Sequence, residues 1–138
     1  MRKTVTLFAA TALAVTLASG TASATPGSGV AGTILAQKTI GHTDYTLREI
    51  TIQPGGYTGW HFHDGTLYAY VKAGTLTHNL ADCSIDGIFG TGRAFTEKAD
   101  QVHIGRNLGS TPLVLEVLYV LPAGSPLSED APDPGCGF

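Results

Sequence analysis

Eighteen glycines and seven prolines divide this chain into short segments, and this spacing constrains the fold more than any other feature. Between the turns, residues alternate with a period of two, as in 46–52, or form short apolar runs such as 67–72 and 113–121. No segment shows a helical period with caps. About eight short strands of this kind predict an all-β protein, a sandwich or barrel of the jelly-roll type.

The first 24 residues have the pattern of a secretory signal peptide. Arg2 and Lys3 precede an apolar stretch, residues 4–17, and a small-residue cleavage site ends at Ala24. The alternative is a membrane-anchored N-terminus. After cleavage the chain would run from 25 to 138, a size typical of one domain. We therefore expect a secreted, extracellular protein that has no membrane partner once the signal is removed.

The charges and cysteines of residues 25–138 indicate which partners and which compartment to expect. Without the signal peptide the chain has six basic and eleven acidic residues, and the basic ones are scattered, so no nucleic-acid partner is expected. The only cysteines are Cys83 and Cys136. In an exported protein an even count favours one disulfide, which would tether the C-terminal tail to a central loop. Two free thiols are the alternative.

Three histidines are the candidates for chemistry. His61 and His63 are one residue apart on a predicted strand, so their side chains point to the same side. His103 follows about forty residues later, behind its own turn. If the three converge, their imidazoles could bind one metal ion. The alternative is that they are ordinary surface or core histidines with no metal.

These residues and the surrounding glycines resemble the two sequence motifs of the cupin family. The motifs are matched by Gly55, His61, His63 and Gly74, and by Gly92, His103 and Asn107. Lys98 and Asp100 depart from the proline and glycine usual in the second motif. The resemblance covers about residues 32–121 and implies a double-stranded β-helix, the jelly-roll barrel of cupins, as the core of a single domain spanning 25–138.

The resemblance also implies a metal site. In cupins the histidines corresponding to His61, His63 and His103 bind a divalent transition metal, which here could be Fe, Zn, Cu, Mn or Ni. The usual fourth ligand is a glutamate, and that position falls on Leu67 or Tyr68. We therefore expect a tris-histidine site in which the ion keeps its full +2 charge and open coordination positions.

Other polar residues are secondary candidates. Tyr68 could replace the missing ligand or donate a proton, although packing in the barrel is the alternative. Glu116 lies within an apolar strand and could orient a ligand histidine. Glu97 and Glu116 are the two acids expected nearest to the pocket. His42 and His78 lie outside the motifs and are interpreted as surface residues.

The functional prediction is a secreted, metal-binding cupin that acts on a small polar substrate as an oxygenase or as a lyase or isomerase. The alternative is a non-catalytic extracellular module that binds a small ligand or a metal. A purely structural protein is a third interpretation, since this fold serves enzymes and non-enzymes alike. Cupins often pair through sheet edges, so the resemblance also allows a homodimer.

Overall fold

The computed structural model describes residues 25–138, and the predicted signal peptide, residues 1–24, lies outside the described residues. The described part is all β, as expected. None of these residues forms a helix long and apolar enough to cross a membrane. The ten strands are β1 Ser28–Ile40, β2 Thr43–Tyr57, β3 His61–Phe62, β4 Thr66–Ala73, β5 Thr75–Leu80, β6 Ile85–Gly90, β7 Ala94–Glu97, β8 His103–Arg106, β9 Leu113–Pro122 and β10 Glu129–Asp130.

The strands pair antiparallel and form a nearly closed jelly roll. One layer has the order β1-β2-β9-β4-β7 and the other the order β6-β5-β8-β3-β10. The end of β2 connects the layers, because Tyr57 pairs with Arg106 of β8. The predicted jelly-roll class is therefore confirmed.

The main core lies on the inward faces of β2, β4 and β9. In β4 and β9 buried positions alternate strictly with more exposed ones, as a half-buried strand requires. The alternation places Leu67, Val71, Leu113 and Leu121 in the core, each 1 % exposed or less. These apolar walls enclose the space into which the histidines point.

Asn107, the last residue of the second motif, stabilises the turn between β8 and β9. Its buried Nδ2 donates to the carbonyl oxygens of Ile52 (2.9 Å) and Thr111 (2.8 Å). Its backbone carbonyl accepts from the N–H of Gly55, 2.9 Å away. The asparagine is therefore structural, joining the two motif-bearing regions of the chain.

Three segments form strands although their sequences lack a strand pattern. Residues 53–56 have the Gln-Pro-Gly-Gly sequence typical of a turn but continue β2, with Gly55 at a φ of 75°. Residues 81–92, rich in glycine and without a period-two pattern, contain β6, which pairs with β5. The tail after Pro122 contributes β10, which pairs with β3. Short strands in glycine-rich or proline-rich segments show too little period-two alternation to be predicted from the sequence. They form because they pair with neighbouring strands in the folded protein.

The tail is fixed at a second, smaller core. A disulfide joins Cys83 to Cys136, as the even cysteine count indicated. Phe138 packs beside the buried Trp60, with ring centroids 6.0 Å apart, and the Arg106 guanidinium lies 3.6 Å from the Phe138 ring centre. The C-terminal segment is thus held against β3 and β8, the strands that carry two of the three motif histidines.

Candidate metal centre

Four histidines and one glutamate meet between the two layers. They are His61 in β3, His63 just after it, His78 in β5, Glu97 in β7 and His103 in β8. His61 and His103 are direct partners across the β3–β8 pair, with ring centroids 4.4 Å apart. His63 lies 4.8 Å from His61 and 5.2 Å from His103 by the same measure. The three motif histidines therefore converge, as the resemblance to the cupin motifs implied.

A tight bend before β3 sets the direction of the histidine pair. Gly59 has a φ of 80°, and a Cβ at this position would collide with the carbonyl oxygen of Thr25. Only glycine combines this backbone conformation with so close an approach. The bend buries Trp60 in the small core, while His63 faces the barrel interior, where it is 2 % exposed.

The structure supplies a carboxylate where the motif lacks one. Leu67, at the expected glutamate position, faces inward and is 1 % exposed. Its direct partner across the β4–β7 pair is Glu97. The Glu97 carboxylate lies 3.3 Å from His63 Nε2 and 3.5 Å from His103 Nε2. The carboxylate therefore comes from β7, the strand beside β4, rather than from position 67 itself. The centre thus contains a carboxylate as well as three histidines.

His78 belongs to the same centre, and its assignment to the surface was wrong. Its side chain is 2 % exposed and its Nε2 lies 3.5 Å from the second oxygen of Glu97. Its Nδ1 lies 3.1 Å from Asp86 Oδ2. The sequence contained a signal for this position, because His78 has the same parity as Leu76, and both side chains face inward.

The ring nitrogens of the three motif histidines are oriented by backbone carbonyls. The Nδ1 atom of His61 lies 2.9 Å from the carbonyl oxygen of Gly59. The Nδ1 atoms of His63 and His103 each lie 2.7 Å from a carbonyl oxygen, that of Leu127 and that of Gln101 respectively. A carbonyl can only accept, so each Nδ1 carries the proton. In the neutral rings the lone pair then lies on Nε2, the arrangement found in metal-ligating histidines.

The Nε2 atoms of His63, His78 and His103 are buried and have no hydrogen-bond partner among the described residues. They surround the Glu97 carboxylate, whose oxygens also offer only lone pairs. Such an arrangement is unfavourable unless protons on the rings or a metal cation lie among these atoms. Two triads have ligand atoms within 4.8 Å of one another: His61, His63 and His103, and His78, Glu97 and His103. The donor set therefore fits a transition-metal ion.

The protonation of the centre follows from its burial. Burial, together with the charges of His103 and His63, lowers the pKa of His61 to about 4. Burial alone would raise the pKa of Glu97, but hydrogen bonds from the imidazoles of His103, His63 and His78, donated when their Nε2 atoms carry a proton, hold it well below its usual range. At neutral pH the centre therefore offers a neutral His61 and an ionised carboxylate.

We expect the metal-free protein to lose stability as the pH falls from about 6.5 to about 4. His61 in the unfolded chain binds a proton near pH 6.5, whereas in the folded protein it does so only near pH 4. Because the unfolded state holds more protons in this interval, the free energy of unfolding decreases on acidification, by on the order of 2–3 kcal/mol. Urea unfolding at several pH values in a chelator measures the slope.

The control for this pH dependence is a matched pair of variants. His61→Gln should flatten the slope between pH 6.5 and 4, whereas His42→Gln, at an exposed position outside the centre, should leave it unchanged. Equal slopes in wild type and His61→Gln would contradict the prediction.

Neither predicted catalytic candidate reaches the centre. Tyr68 lies on the outward face of β4 and is 54 % exposed, because the inward positions of that strand are 67, 69 and 71. Glu116 lies on the outward face of β9, where its carboxylate is 3.6 Å from Lys72 Nζ. Glu97, the other acid expected near the pocket, is the one that reaches the histidines. Strand parity explains why Tyr68 and Glu116 face outward.

The histidines open onto two adjoining cavities. The inner one, about 40 Å³, is walled by apolar side chains such as Leu76, Leu115 and Val117, with Glu97 at its edge. The outer one, about 120 Å³, is more polar and also borders His61 and His63. A small ligand could therefore reach the centre through the outer cavity.

Comparison with known proteins identifies relatives of this fold. A family model described as "Cupin domain" matches residues 48–121, more than half of the chain and including all five residues of the centre. No curated protein sequence matches the chain significantly.

Solved structures with a similar fold include three bacterial proteins. A cupin domain from Bordetella pertussis Tohama I is 22 % identical, with 70 % of this chain and 95 % of that one covered and a TM-score of 0.57. The polyketide cyclase RemF from Streptomyces resistomycificus is 21 % identical, with 88 % and 90 % covered and a TM-score of 0.62. KdgF from a Halomonas species is 20 % identical, with 65 % and 77 % covered and a TM-score of 0.54. Identities this low show a shared fold.

Proposed function

Since this chain belongs to the cupin family, we propose that it is a secreted metalloenzyme that acts on a small, oxygen-bearing substrate. One divalent transition-metal ion would be held by His61, His63, His103 and Glu97. The observation that supports this most is the group of buried, unpartnered Nε2 atoms around an ionised carboxylate. Carbonyl acceptors at the opposite ring nitrogens already fix the tautomers that a metal needs.

A bound ion would supply Lewis-acid or redox chemistry to substrate oxygen atoms. Compared with a tris-histidine site, the Glu97 carboxylate lowers the net charge of the centre from +2 to +1. His78 Nε2 lies 3.5 Å from the other oxygen of Glu97 and His78 Nδ1 lies 3.1 Å from Asp86, so His78 in its doubly protonated form would position the carboxylate. The apolar walls of the inner cavity limit water, which strengthens electrostatic interactions with the substrate.

The reaction class follows from which metal is bound. A redox metal such as iron would support oxygenase chemistry, whereas zinc would favour a lyase or isomerase step. The similar fold of a polyketide cyclase supports catalysis on a small organic molecule as a use of this barrel. The disulfide between Cys83 and Cys136 supports an oxidising compartment, in keeping with secretion.

The experiment is a metal titration of protein first stripped with a chelator. We expect one equivalent of Fe²⁺, Zn²⁺, Mn²⁺, Ni²⁺ or Cu²⁺ to bind per chain, measured by elemental analysis after desalting. His42→Ala should bind the same amount, because His42 is exposed and outside the centre. Failure of all five metals to bind would refute the proposal. Stoichiometric binding without turnover of any oxygen-bearing substrate would instead favour the non-catalytic binding module.

A further inference from the structure

An arginine projects inward beside the proposed metal centre. Arg48 lies on β2 between Thr46 and Ile50, which are 1 % and 9 % exposed, and shares their inward-facing parity. Its guanidinium lies over Gly32 of the adjoining strand β1, and a side chain at position 32 would displace it. The absence of a side chain at position 32 therefore leaves the space that the guanidinium occupies.

The charge of Arg48 has no close counterion in the described part of the chain. No carboxylate among residues 25–138 lies within 4.0 Å of its guanidinium. Asp130 borders the same outer cavity but is not within that distance. An inward-facing guanidinium at a cavity that leads to two histidines is thus available to an anionic ligand.

Tyr119 adds a hydroxyl donor at the same place. It lines both cavities, is 4 % exposed, and its ring lies edge-on to His63 with centroids 5.7 Å apart. Burial raises the pKa of Tyr119, although the nearby charge of Arg48 acts in the opposite direction. The phenol therefore stays protonated at neutral pH and can donate a hydrogen bond.

We propose that Arg48 and Tyr119 bind the carboxylate of a small 2-hydroxy or 2-oxo acid, the substrate class of this site. This inference rests on the proposed function, because the neighbouring substrate oxygen would face the metal centre at His61 and His63. The planar guanidinium can accept a carboxylate in a two-point contact, and the small outer cavity suits a compact acid. The substrate would thus be anchored at one end and polarised at the other.

The test compares glycolate with its uncharged analogue glycolamide on zinc-loaded protein by calorimetric titration. We expect wild type to prefer glycolate, and Arg48→Met to weaken glycolate binding roughly tenfold to a hundredfold, with little effect on glycolamide. Arg93→Met is the matched control, since Arg93 is exposed and outside the cavity. Zinc content, measured on each variant, should be unchanged.

Three results would overturn the inference: equal glycolate affinity in wild type and Arg48→Met, no preference for glycolate over glycolamide, or tighter binding of inorganic phosphate than of glycolate. A parallel titration of metal-free protein, followed by NMR shifts, separates this inference from the proposed function. If wild type binds no metal, the proposed function fails, yet Arg48→Met must still weaken glycolate binding. Absence of glycolate binding in both forms would refute the Arg48 site itself.

Discussion

Replacing Glu97 with leucine is expected to weaken divalent-metal binding by roughly a hundredfold to a thousandfold. The substitution removes the only carboxylate within 4.0 Å of His63 and His103 among the described residues. Removing one partner of a buried ionic group costs about 3–5 kcal/mol, and the lower part of this range, about 3–4 kcal/mol, corresponds to that loss of affinity. Competition with a chromophoric chelator measures the dissociation constant directly.

The strand pairing offers a rescue experiment. Leu67 and Glu97 are direct cross-strand partners, so their Cβ atoms lie roughly 5 Å apart. The double variant Leu67→Glu/Glu97→Leu returns the carboxylate to the usual motif position and should recover most of the affinity. Glu116→Leu, the same change on the outward face of β9, should have no effect. Unchanged affinity in Glu97→Leu, or a double variant no better than the single one, would contradict this role for Glu97.

The sequence predicted the jelly-roll class, and its resemblance to the cupin motifs pointed to the three histidines that converge. A period of two along the chain sets which face each side chain occupies, and the spacing of His61 and His63 places both on one side. The same rule, applied to β4 and β9, excludes Tyr68 and Glu116 from the interior, since their neighbours Leu67 and Leu115 face inward. Local alternation therefore carries most of the reliable information about this site.

What local alternation could not supply is the fourth side chain of the centre. Glu97 reaches the histidines only because β7 pairs with β4 in the register that sets it opposite Leu67. That register depends on contacts between segments thirty residues apart, which no period within either strand encodes. His78 is a different case, because its parity with Leu76 was visible, but a histidine outside a motif was interpreted by polarity alone. A buried histidine can be predicted reliably only when residue polarity and strand parity are considered together.

Removing the disulfide is expected to destabilise the protein by about 4 kcal/mol. Cys83 and Cys136 are separated by 53 positions. In the chain-entropy model, the loop that the disulfide closes lowers the conformational entropy of the unfolded chain, and for a loop of this length the effect on the free energy of unfolding is about 4 kcal/mol. The double variant Cys83→Ser/Cys136→Ser avoids a free thiol. Urea unfolding followed by the fluorescence of Trp60, the only tryptophan, measures the change.

The same variant should also weaken metal binding, because the tethered tail supports the centre. Leu127, ahead of β10, accepts the His63 Nδ1 hydrogen bond at 2.7 Å, and Asp130 pairs with His61 across β10 and β3. Releasing Cys136 loosens this segment, so the loss of an oriented ligand should lower metal affinity roughly tenfold. Reduction with tris(2-carboxyethyl)phosphine, which is not a dithiol chelator, should reproduce both effects in wild type and leave the double variant unchanged. A stability loss with intact metal affinity would show that the tail is fixed by β10 pairing alone.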